Sequence, residues 1–171
     1  MKAGPKYYGI YRGTVLSNLD PLQIGRIQAT VPDAGGLTPS TWITPSFPVA
    51  GKAMGTFFVP QIGAGVWIQF EAGDPDRPVY TGGWGGQTAE VPTLAMAGVP
   101  GDPNFVIQTM LQYAVVLSDL PGPTGGIMLK SPTGATIIVN DTGIYISNGK
   151  GASIVMTGPT VTINNGALVV V

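Results

Sequence analysis

The chain has 171 residues, 44% hydrophobic and 10% charged. That is material for one or two domains, with far less charge than the roughly 25% of an ordinary soluble domain. It contains no cysteine and no histidine, which excludes a disulfide frame, a thiolate nucleophile and Cys-based metal sites, and removes the commonest general base. Its 8 basic and 9 acidic residues leave a net charge of −1, so nothing in the charge balance offers a footprint for nucleic-acid phosphates.

The segment Met1-Lys2-Ala3-Gly4-Pro5-Lys6 runs directly into Tyr7-Tyr8-Gly9-Ile10-Tyr11 without the apolar core of a secretory signal. The longest aliphatic run, Ala167 to Val171, is far short of the roughly 20 residues of a membrane-spanning helix. Synthesis and assembly in a cytoplasm are expected.

From Tyr8 to Thr88, β-rich runs alternate with turn chemistry: Gly9 to Leu16, Gly25 to Val31, Thr41 to Ser46, Gly65 to Glu71 and Pro78 to Gly82. Between them, Asn18-Leu19-Asp20-Pro21, Pro32-Asp33-Ala34-Gly35-Gly36 and Gly73-Asp74-Pro75-Asp76 supply bends. Five strands of this length predict a small closed barrel over residues 1–88. In the fourth run, Val66, Ile68 and Phe70 share one face while Trp67, Gln69 and Glu71 share the other. The stretch 89–104 is punctuated by Val91-Pro92 and Val99-Pro100-Gly101-Asp102-Pro103 and reads as a linker.

Residues 105–171 return to strand composition with a fixed cadence. Glycines fall at Gly126, Gly134, Gly143, Gly151, Gly158 and Gly166, and the apolar positions Leu129, Ile137, Ile146, Ile154, Ile163 and Val171 keep step with them. A short fixed period marks a repeat architecture. A rib of five or six residues with one turn glycine cannot enclose a core alone, and an open sheet with exposed apolar faces invites aggregation. Three copies wound about one axis, each rib pairing with ribs of the other chains around a shared apolar centre, would solve this. Burying one Val, Leu or Ile contributes roughly 1.5–3 kcal/mol, so the shaft is expected to exist as a homotrimer.

Asp20-Pro21-Leu22-Gln23-Ile24-Gly25-Arg26-Ile27, Trp42, the run from Pro48 to Phe70 and Gly73-Asp74-Pro75-Asp76-Arg77-Pro78-Val79 together resemble the barrel domain of contractile-tail spike proteins, the phage baseplate assembly protein V and VgrG-type family. The glycine-paced C-terminal part resembles their triple-stranded β-helix. The resemblance implies an all-β homotrimer: an N-terminal OB-fold five-stranded barrel under a baseplate hub protein at the tail-tube end, then an intertwined triple-stranded β-helix pointing at the target cell envelope. It implies a non-enzymatic central spike of a phage tail or phage-like injection particle, driven through that envelope on contraction. No segment has the length of the lysozyme or effector domain that many relatives carry, which points to a minimal spike. A PAAR-type tip protein would suit the apolar ending, although a His-bound tip metal is excluded by composition.

Other chemistries fare worse. Asp74 and Asp76 of Gly73-Asp74-Pro75-Asp76-Arg77-Pro78 could hold a metal beside Arg77, but proline on both sides favours an Asx-type bend tied down by Arg77. Gly63-Ala64-Gly65 lacks the third glycine and helix of a dinucleotide loop. Ser153 has no histidine to activate it, and the turns Asp141-Thr142-Gly143 and Asn164-Asn165-Gly166 lack the acidic ligands of a repeating calcium site. No carboxylate pair suits glycan hydrolysis. No catalytic residue, cofactor or metal is therefore expected. Trp42, Trp67 and Trp84 with Tyr7, Tyr8 and Tyr11 could form a stacking platform, making the alternative a single-stranded nucleic-acid-binding OB module. Core and inter-subunit packing is the better reading, because six Lys/Arg precede residue 89, too few to line a backbone groove. Trp84, within Gly82-Gly83-Trp84-Gly85-Gly86, is expected at the junction with hub or shaft.

Overall fold

A computed structural model of the chain describes residues 5–170. Its regular structure is almost all strand, and it divides into two compact units, one ending at Gly86 and the other starting at Gln87.

The first unit carries β1 (Tyr11–Ser17), β2 (Gln28–Thr30), β3 (Thr44–Pro45), β4 (Ala50–Gly51), β5 (Met54–Gly55), β6 (Gly65–Phe70) and β7 (Pro78–Trp84). Five of them form one sheet in the order β2-β1-β6-β7-β3, while β4 and β5 make a separate two-stranded hairpin. The two edges of the sheet meet at one antiparallel bridge, where Ile27 N–H donates to the Ile43 carbonyl at 3.1 Å and Ile43 N–H returns the bond at 2.8 Å. That bridge gives the unit its OB-like curvature. Val15, Ile27, Ala29, Val31, Ile43, Val66, Ile68 and Tyr80 fill its core, with Phe70 packed against them. The predicted two-sided layout of β6 holds: Val66 and Ile68 are buried, Gln69 is exposed. The second run yields a strand shorter than the stretch from Gly25 to Val31, because Gln23 and Gly25 take positive φ in a loop held by Asp20.

The second unit begins with two short 3-10 turns, Thr88–Glu90 and Ala95–Ala97. The stretch read as a linker is hydrogen-bonded: Asn104 donates from its backbone to the Ala95 carbonyl at 3.1 Å and from Nδ2 to the Leu94 carbonyl at 2.9 Å. Eight strands follow: β8 (Phe105–Gln108), β9 (Ala114–Ser118), β10 (Gly126–Lys130), β11 (Thr136–Asn140), β12 (Gly143–Ser147), β13 (Ser153–Thr157), β14 (Thr160–Ile163) and β15 (Leu168–Val170). They form one antiparallel meander in chain order, roughly 34 Å across at about 4.8 Å per strand.

Each rib hydrogen-bonds to its sequence neighbours within the chain. The physical reason is the turns. Connections of a few residues return each strand beside the last, and antiparallel pairing of sequence neighbours has the lowest closure cost. Gly126 shows how tightly the meander folds: its φ is +91°, and a Cβ there would collide with the Val139 carbonyl of the adjacent strand.

Candidate assembly surface

The meander register aligns residues across all eight strands. Ile107 lies opposite Val115, which lies opposite Leu129, then Ile137, Ile146, Ile154, Ile163 and Leu168 in turn. A second row on the same face runs Phe105, Leu117, Ile127, Val139, Ile144, Met156 and Val161. Positions two apart on a strand share a face, so both rows project to one side, and every residue in them is apolar. Much of this face is open among the described residues: Phe105, Ile107, Ile127, Leu129 and Ile137 are 44–59% exposed, while Ile146, Met156, Val161 and Ile163 are half-buried. The upper end of the first row forms an open apolar trough of about 600 Å³ lined by Ile107, Tyr113, Val115, Leu129, Ile137 and Ile146.

Five of the six residues expected in a shared core, Leu129, Ile137, Ile146, Ile154 and Ile163, form consecutive rungs of the first row. The sixth, Val171, lies outside the described residues, and the ladder reaches Leu168 instead. The paced glycines take two places. Gly126 and Gly143 open strands β10 and β12, while Gly134, Gly151, Gly158 and Gly166 sit in the turns, all six with positive φ.

The opposite face differs. Its central row of Val106, Val116, Met128, Ile138, Tyr145, Val155 and Thr162 is flanked by Lys130, Thr136, Asn140, Ser147 and Ser153, and Val116 is buried. A sheet polar at the margins of one face and wholly apolar on the other is built to be covered on the second.

In the first unit, the Gly73-Asp74-Pro75-Asp76-Arg77-Pro78 segment connects β6 to β7. Asp74 Oδ1 accepts the Asp76 N–H at 3.2 Å in an Asx turn, Arg77 N–H donates to the Asp74 carbonyl at 2.9 Å, and the Arg77 guanidinium pairs with Glu71. The Gly73 carbonyl accepts Tyr7 N–H at 2.9 Å, and a side chain at Gly73 would run into the Tyr8 ring. Among the described residues no group of three or more His, Cys, Asp or Glu gathers as it would around a metal.

Each tryptophan carries a guanidinium of its own chain. Arg12 lies 5.6 Å from the Trp67 ring centroid and 5.0 Å from that of Trp84, and Arg26 lies 5.2 Å from Trp42. Trp84 Nε1 also donates to the Val66 carbonyl at 3.2 Å, so this ring is fixed to the barrel wall beside β6.

Two anchors escaped the sequence reading. The Asp20 carboxylate accepts from the backbone of Leu22, Ile24 and Arg26 at 3.0–3.2 Å and from the Arg26 guanidinium at 2.6 Å. The guanidinium and these N–H donors hold its carboxyl well below the ordinary aspartate range. Tyr80 Oη donates to the Gly25 carbonyl at 2.7 Å across the core, and burial pushes the phenol up to about 12. The only sequence signal for the first was an Asp-Pro turn; for the second there was none.

Residues 11–84 match the model of the type VI secretion system/phage-baseplate injector OB domain, and residues 104–169 match that of the phage baseplate V C-terminal trimerisation domain. The chain belongs to the phage baseplate V spike family. Two type VI secretion system spike proteins of Pseudomonas aeruginosa, VgrG1a and VgrG1b, are each 49% identical over 43 residues, a quarter of this chain. The shared segment covers 7% of the first and 6% of the second, so this chain matches a small part of each. The apolar ladder lies inside the segment that matches the baseplate V trimerisation-domain model.

Proposed function

We propose that the chain is the central spike of a contractile injection particle, acting as a homotrimer that caps the tail tube with its barrels and perforates the target cell envelope with its shaft. The unbroken apolar face of the meander carries this reading. Two rows of apolar side chains across the meander stay largely open in a single chain, and a face of that extent marks an interaction surface. Three such faces turned toward one axis bury each other and leave the polar margins outside.

In this arrangement the expected sharing of a dry centre remains, while hydrogen bonding stays within each chain. The barrel unit, expected over residues 1–88, docks on a baseplate hub protein, and the Arg12, Trp67 and Trp84 cluster is a rigid feature available for that contact. The far end of the shaft, beyond β15, receives a PAAR-type tip. Assembly in the cytoplasm precedes loading into the particle. The role is mechanical: a rod of sheets with short turns transmits thrust without deforming, and this function draws on no catalytic residue or cofactor. Six Lys/Arg before residue 89, two of them packed on the tryptophans, leave too few free cations to track a phosphate backbone, which disfavours the single-stranded nucleic-acid reading.

Native mass spectrometry of the full chain tests the proposal. A mass three times that of the 17.6 kDa chain is the expected result, and a monomer at micromolar concentration would overturn it.

A further inference from the structure

The β8–β9 hairpin ends in a tip of unusual composition. Met110 and Leu111 are 70% and 65% exposed, although turn tips ordinarily carry polar residues. The tip is also well tied: Thr109 N–H donates to the Tyr113 carbonyl and Gln112 N–H to the Thr109 carbonyl, both at 2.9 Å, with Gln112 at a φ of +66°. The other turns on this margin of the sheet are polar: Ser131-Pro132-Thr133-Gly134, Asn148-Gly149-Lys150-Gly151 and Asn164-Asn165-Gly166. One apolar tip among four is therefore a local feature that the meander itself does not require.

On the opposite margin at the same height, Phe105 and Leu117 lie directly across from one another, 59% and 42% exposed. Symmetry decides what these two surfaces meet. In a closed ring of identical copies the contact is heterologous, so one margin of a copy faces the opposite margin of the next. Rotation about an axis running across the strands also preserves height, which sets β8–β9 of one copy beside β8–β9 of its neighbour.

We propose that the Met110–Leu111 tip of each copy seats on Phe105 and Leu117 of the next, sealing the three corners at the β8–β9 end of the shaft. This rests on the homotrimer reading and adds its register and direction. The occupant is a second copy of this chain, because the tip and its seat lie within the matched trimerisation domain and each is apolar and open. Its hydrogen-bonded backbone means that little ordering is lost when the tip docks.

Absence of native cysteine makes disulfide trapping a clean test in the full-length protein. Within one chain, Phe105 and the tip are separated by roughly 13 Å of strand, beyond the ~7 Å Cα limit for a disulfide, so a bond between Leu111→Cys and Phe105→Cys has to join two copies. The double variant is expected to run as a covalent trimer on a non-reducing gel after mild oxidation, and Leu111→Cys alone as a monomer. A trimer by native mass that stays uncrosslinked would overturn the proposal and leave the homotrimer standing, and so would equal crosslinking of the single variant. A monomeric native mass would defeat both readings. As a second measure, Leu111→Lys is expected to dissociate the trimer at higher concentration than wild type, while Thr133→Lys on the polar turn is not; equal behaviour of the two would also overturn the proposal.

Discussion

Asp20 and Arg26 meet at 2.6 Å, and the same carboxylate gathers three backbone N–H groups of the loop between them. The Asp20 side chain is 3% exposed, so removing its charge leaves donors without an acceptor. Asp20→Asn is expected to lower the unfolding midpoint of the barrel unit by several degrees in a thermal scan. The sign of the pH effect follows from a carboxyl depressed in the folded state: its stabilisation is present above the unfolded aspartate range near 4 and fades as pH falls below it. Asn at this position should flatten that acid limb. An acid limb identical to wild type would show that Asp20 does not organise the loop.

Tyr80 supplies the complementary alkaline limb. Its phenol sits near 12 when folded against an ordinary value of 10.0, so the unfolded chain ionises first and stability declines as pH rises from about 10 to 12. Tyr80→Phe removes the hydrogen bond to the Gly25 carbonyl, which should cost about 1 kcal/mol at neutral pH and reduce the alkaline decline. Denaturant titrations at pH 7 and pH 11 measure both effects. A variant as stable as wild type at pH 7 would mean that the Gly25 carbonyl finds another donor.

Ile137 and Thr136 are neighbours on β11 that point to opposite faces. Ile137→Asp would place three carboxylates in the shared interior, each costing several kcal/mol when buried unpaired, and should abolish the threefold mass. Thr136→Asp adds the same charge to the opposite face, at its polar margin, and should leave the trimer intact. Native mass spectrometry of the two variants side by side gives the answer. Equal behaviour would mean that this face of the sheet is not the interface.

The reach of the sequence can be judged from these residues. The ladder from Leu129 to Ile163 was legible because strand alternation and the glycine interval repeat together, fixing both face and register. Which chain supplies each rung's hydrogen bonds was not legible, since a five-residue strand with a short turn reads alike whether it pairs within a chain or between chains. In the barrel, the faces of Val66 and Ile68 followed from period two. The Tyr80 bond spans 55 residues and leaves no periodic trace, and the Asp20 cage depends on a loop geometry that composition alone does not encode.

Gly126 and Gly151 separate two demands that a paced glycine can meet. Both have positive φ, +91° and +104°, a region that costs most L-residues about 1–2 kcal/mol. At Gly126 a Cβ would also strike the Val139 carbonyl and crowd Asn140, whereas at Gly151 no atom lies within 4 Å. Asparagine tolerates positive φ best among non-glycine residues, so Gly151→Asn should cost only the dihedral strain, about 1–2 kcal/mol. Gly126→Asn, with the same backbone preference, still meets the neighbouring strand and should destabilise by about 3 kcal/mol or more, since close backbone contact adds to the dihedral cost. Unfolding midpoints of the two variants in guanidinium chloride test the contrast. Similar losses at both sites would mean that dihedral freedom alone sets the glycine cadence, while a larger loss at Gly126 would tie it to the spacing between strands.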